Sequence, residues 1–143
     1  MMIRRICALA ACFLLLVATP CLAADFRFVD ASGYTGYYVD ASSVSYENVA
    51  VCTAEVAVVK ADRNRMFRYT MRFDRGYARY QILGSEVVRY DTKEVLSKSG
   101  AETAKHPYGV SSPMREIVDY IYNELPHGTL APDTRTPEQA ATE

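Results

Sequence analysis

Hydrophobic and polar positions alternate most cleanly between Met66 and Leu83, in the stretch MFRYTMRFDRGYARYQIL. Phe67, Tyr69, Met71 and Phe73 fall on one face of a strand, and Arg68, Thr70 and Arg72 fall on the other. After Asp74-Arg75-Gly76-Tyr77 the pattern resumes, with Ala78, Tyr80 and Ile82 set against Arg79 and Gln81. Pairing Phe73 with Ala78 opposes Met71 to Tyr80 and Tyr69 to Ile82, so every apolar side chain shares one side of a hairpin. A two-residue turn at Arg75-Gly76 would force Arg to positive φ, whereas a four-residue loop, Asp74 to Tyr77, keeps the register without that strain. In this register Arg72 and Arg79 stand opposite each other on the polar face.

Other segments add strands around this hairpin. Phe26 to Val29 alternates and predicts a first strand at an edge, and Gly33-Tyr34-Thr35-Gly36 reads as a turn. Tyr37-Tyr38-Val39 is aromatic and β-branched, which predicts a second strand. Asp40-Ala41-Ser42-Ser43 then supplies residues that bond their own backbone, so Asp40 reads as a turn cap. Val49 to Val59 carries β-branched residues on both faces and predicts a central strand, with Ala50, Cys52, Ala54, Val56 and Val58 on its buried side. Lys60 to Arg65 is a charged connection into the hairpin. A bulge or bend is expected at Gly84-Ser85, then strand from Val87 to Tyr90 and a short one from Lys93 to Leu96. Residues 97–110 read as a long polar loop.

One helix is convincing. Ser112 is placed to cap it, Pro113 suits its first position, and Met114, Ile117, Val118, Ile121 and Leu125 form one apolar stripe. That stripe has the apolar face of the sheet to cover, which makes the chain α+β. Pro126 and Gly128 end the helix, and residues 127–143 are Thr, Pro, Ala and acid, a composition that predicts a disordered tail.

The first residues change the accounting. Arg4 and Arg5, the apolar run Ile6 to Val17, and Cys21-Leu22-Ala23 form a secretory signal peptide over residues 1–23, which leaves 24–126 as the folded domain. The apolar run is shorter than the roughly 18–20 residues a retained membrane span needs, so no transmembrane span is expected in the mature chain. Leu9-Ala10-Ala11-Cys12 matches a lipobox, but only about three apolar residues separate it from Arg5, where an h-region takes roughly 7–15. That spacing disfavours lipidation at Cys12. With the signal removed, Cys52 is the only one of the 4 cysteines left, so no internal disulfide forms and the core alone holds the fold. The 17 acidic residues then outnumber the basic ones, two of which leave with the signal, and an exported acidic chain has no reason to meet nucleic acid.

Catalytic chemistry is not legible. His106 and His127 sit on separate polar segments, no metal-ligand spacing or nucleophile motif is present, and the serines are explained by turns and a cap. A non-enzyme without metal or cofactor is the expectation. One surface feature stands out, a basic stripe from Lys60 to Arg79. It reads first as a solvated face that discourages edge-to-edge aggregation. As a binding site, its candidate contact residues are Arg68, Arg72 and Arg79, with Tyr77 as aromatic companion, for a protein, an acidic glycan or an anionic lipid head group.

The order of these segments resembles the surface-adhesin protein E-like family of small secreted bacterial domains. The residues that carry the likeness are Phe28-Val29, Tyr37-Tyr38-Val39-Asp40 followed by Ser42-Ser43-Val44, the Val49–Val59 strand, Tyr80-Gln81-Ile82 and the Ser112-Pro113 helix. The resemblance implies a single antiparallel sheet of about six strands with the C-terminal helix packed on one face. It also implies an exported protein of the periplasm or cell surface that binds host matrix proteins such as vitronectin and laminin. A periplasmic accessory protein with another envelope component as partner is the alternative.

Overall fold

A computed structural model describes residues 23–143. The segment expected to be a signal peptide, Cys12 included, lies outside the described residues, apart from Ala23 itself.

Among the described residues, eight strands form one antiparallel sheet. They are β1 (Phe26–Ser32), β2 (Thr35–Asp40), β3 (Ser45–Tyr46), β4 (Val51–Lys60), β5 (Arg65–Asp74), β6 (Arg79–Arg89), β7 (Val95–Ser99) and β8 (Lys105–Pro107). The path β1-β2-β4-β5-β6-β7 accounts for six strands, and β3 and β8 are additions to β4 and β6. The expectation of about six strands is therefore corrected to eight. Strands of two and three residues are too short to show alternation, and they exist because a neighbour's edge is free. Strand β7 pairs with β6 from Ser85 to Val88, which leaves Arg79 to Gln81 for β8. The segment read as a loop over 97–110 thus contributes the end of one strand and all of another.

The apolar stripe on α1 (Pro113–Asn123) does what its spacing predicts. Ser112 accepts a hydrogen bond from the Met114 amide at 3.2 Å, and Pro113 opens the helix. Ile117, Val118, Ile121 and Leu125 are buried against Cys52, Ala54, Val56, Met71 and Phe73, the inward residues of β4 and β5. Two tyrosines tie the helix to the sheet's end: Tyr46 donates to the Ile121 carbonyl at 2.8 Å and Tyr122 to the Asn48 carbonyl at 3.3 Å. Asp40 is a cap as expected, its Oδ1 accepting from the amides of Asp25 and Ser42, each at 2.9 Å.

The hairpin register differs from the sequence reading by two residues. Phe73 pairs with Tyr80, Met71 with Ile82 and Asp74 with Arg79, so the loop is Arg75 to Ala78. A two-residue shift preserves which face each side chain occupies, so hydrophobicity does not distinguish the registers. Charge does: Arg79 faces Asp74 instead of Arg72, replacing a like-charge opposition by an ion pair. Asp74 Oδ1 also accepts from the Tyr77 amide at 3.2 Å, and Ala78 closes the loop at φ 48°. The expected irregularity near Gly84 is a bulge that leaves Leu83 without a partner.

The tail also departs from its composition. Residues beyond 127 run past the sheet's end, where Ala131 accepts a hydrogen bond from the Val49 amide at 2.8 Å, and finish in α2 (Pro137–Thr142). Thr136 and Gln139 form a reciprocal capping box, and Ala140 is fully buried. Composition gives the segment no core of its own, but it borrows one from the sheet.

Candidate functional site on the sheet face opposite the helix

Alternation sends every second residue of β4, β5 and β6 away from α1. Val51, Thr53, Glu55, Ala57 and Val59 of β4 meet Asp74, Arg72, Thr70, Arg68 and Met66 of β5 across this face. Strand β6 continues it with Arg79, Gln81, Glu86 and Val88. All three candidate arginines lie here, yet they do not form one stripe.

Arg72, Arg79 and Tyr77 come together at the hairpin end. Arg72 makes a bidentate pair with Glu47 at 2.8 and 2.9 Å, which holds the Glu47 carboxyl below its ordinary range. Arg79 lies 3.6 Å from Asp74 and donates to the Ala140 carbonyl, so its guanidinium joins the sheet to α2. Asp74 is almost completely buried and takes a second cation, Arg135, at 3.0 Å. Arg135 also clamps Asp133 at 2.8 and 2.9 Å, and those two bonds pull the Asp133 carboxyl down to about 2. The Tyr77 ring lies 5.2 Å from the Arg79 guanidinium and 6.0 Å from that of Arg135.

Arg68 stands apart. It bridges Glu55 at 3.0 Å and Glu86 at 3.1 Å, and Glu86 also takes Lys98 at 3.1 Å. Its Nε is buried without a hydrogen-bond partner, so only the outer nitrogens are satisfied. Beside it opens an apolar cleft of about 430 Å³, walled by Phe26, Tyr38, Val59, Met66 and Val88, with Tyr90 and Val95 at its mouth. The volume falls in the range of small binding sites, roughly 300–1,000 Å³. Ala57, Val59, Met66 and Val88 pack here as a second apolar cluster separate from the main core.

The sequence reading found the arginines and missed what neutralises them. Glu47, Glu55 and Glu86 are remote in sequence, and Arg135 lies in a segment expected to be disordered. The cleft had one visible signal, the β-branched residues on both faces of the Val49–Val59 run. Cys52 behaves as an inert core residue: it is fully buried, and burial pushes its thiol up to about 12. His106 lies 3.0 Å from Glu102, and His127 lies between the carbonyls of Tyr122 and Gly128, each at 3.0 Å. Among the described residues no group of three His, Cys, Asp or Glu side chains is placed to hold a metal, and no helix is long and apolar enough to cross a membrane. No family model, curated protein or solved structure matches the chain.

Proposed function

We propose that the chain is an exported, non-enzymatic binding module of a bacterial envelope, and that it engages a protein partner through the open end of this sheet face. The observation that carries the reading is the apolar cleft beside Arg68. A sheet face without a helix over it is ordinarily polar, and here it presents a concave apolar surface framed by charged side chains. An apolar anchor from a protein fills such a cleft, whereas an acidic glycan needs free cations. Arg68, Arg72 and Arg79 are each already paired with carboxylates of this chain. The basic stripe therefore supplies a charged frame more than a field for steering anions.

The resemblance to surface adhesins makes a host matrix protein the first partner to try. Protease added to intact cells should reach residues 24–143 while a periplasmic control stays protected. Immobilised vitronectin or laminin should then retain the chain, and the double variant Tyr90→Ser, Val95→Ser should bind at least about tenfold less. These two residues are 40% and 47% exposed, so the fold should tolerate both changes. Protection on intact cells would end the adhesin reading. The periplasmic accessory reading would replace it, favoured by the internal neutralisation of the arginines.

A further inference from the structure

The hairpin end of the same face is occupied, and its occupant is the chain's own C-terminal segment. Residues 133–143 lay a short helix over Arg72 and Arg79 through a small set of ionic and charge-assisted contacts. The Ala140 carbonyl accepts from Arg79, the Glu143 carboxylate lies 3.6 Å from Arg72, and Arg135 reaches down to Asp74 at 3.0 Å. Ala140 supplies the single buried apolar contact within the helix. A helix of six residues has no stability of its own in water, so its structure depends on the surface beneath it. The connection from Glu124 to Thr136 contains Pro126, Gly128 and Pro132 and has no helix or strand. It is fastened by Leu130 against the main core and by the Val49–Ala131 hydrogen bond.

We infer that this end of the face is a docking site for a short peptide segment of the strap's own mixed charge, filled in cis by residues 133–143, and that release of this strap opens it to the same kind of segment from another chain. The inference rests on reading this face as a binding surface, but it concerns the end away from the apolar cleft. The seated segment defines the ligand chemistry: a carbonyl for Arg79, a carboxylate for Arg72, a guanidinium for Asp74, and a small side chain among them. Tethering presents the strap at an effective concentration of about millimolar, so an external segment competes poorly until the strap is loosened.

The test uses full-length mature chain and a labelled synthetic peptide spanning residues 132–143. Ala140→Arg should release the strap by steric clash and by repulsion from Arg79, and hydrogen exchange should show this as lost protection confined to residues 133–143. The released variant should then take the peptide about tenfold or more tightly than the unsubstituted chain does. Binding should weaken with added salt and disappear when Arg72→Ser and Arg79→Ser are added. Glu143→Gln, a milder change, should raise peptide binding a few-fold without altering the sheet's exchange. Release without any gain in peptide binding overturns the inference. Global unfolding of Ala140→Arg overturns it as well, because a strap that opens must leave the sheet intact. The Tyr90→Ser, Val95→Ser variant should not change peptide binding, which separates this site from the cleft.

Discussion

The two ends of one sheet face solve the same electrostatic problem with opposite signs. At the hairpin end a carboxylate, Asp74, sits between two guanidiniums, those of Arg79 and Arg135. At the other end a guanidinium, that of Arg68, sits between two carboxylates, those of Glu55 and Glu86. The strands are the same and the alternation is the same, but the surroundings differ. The Asp74 side chain is 5% exposed, with the strap's Arg135 over it, while Arg68 is 36% exposed beside an open cleft. A buried charge that loses a partner is expensive, whereas a solvated one is rescued by water. One ion triad therefore ties the strap to the sheet, and the other leaves a surface free to meet something else.

The sharpest way to break this comparison is to neutralise both centres. Asp74→Asn should destabilise the chain by roughly 3 kcal/mol, as expected when a buried pair loses one charge. Arg68→Gln should change stability by about 1 kcal/mol or less, since its pairs are partly solvated. Urea denaturation reads both, and equal losses would mean that the two ends are not energetically distinct. The same contrast should hold for apolar residues. Val51→Ala removes two methyl groups from a fully buried site and should cost about 1.5 kcal/mol. Val95→Ala, at the mouth of the cleft, should stay within about 0.5 kcal/mol.

The smallest effect concerns the root of the strap. Both ring nitrogens of His127 face carbonyl oxygens, those of Tyr122 and Gly128, and only the doubly protonated ring donates to both. These bonds raise its pKa above the ordinary 6.5. Its contribution is therefore complete below pH 6.5 and fades as the pH climbs through the raised folded value. Asp133, drawn down to about 2, stays ionised throughout that range. Exchange protection at residues 127–131 should fall slightly between pH 5.5 and 8.5, and His127→Gln should remove the dependence.

The elements set by local pattern were legible: the strands with long alternation, the capped helix, its stripe and the Asp40 turn. What could not be read depends on partners far away in sequence. The hairpin register turned on whether Arg79 meets Arg72 or Asp74, a choice that hydrophobicity leaves open because both registers bury the same residues. The tail looked incapable of order because order there requires Asp74, Arg72 and Arg79, some 60 residues upstream. Of the four candidate contact residues, Arg72, Arg79 and Tyr77 lie together at the hairpin end. Arg68 belongs with Glu55 and Glu86, whose convergence needed the β4-β5-β6 register.

Cys52 gives the molecule a built-in clock for its own opening. It lies on the central strand β4 with no exposed surface, and it is the only cysteine among the described residues. An alkylating reagent can reach it only through molecules whose sheet and helix have parted, so the labelling rate counts global openings. Release of the strap, at the edge of the opposite face, leaves that thiol covered. Loss of protection in the tail with an unchanged labelling rate would thus separate a moving part from a failing fold within a single sample.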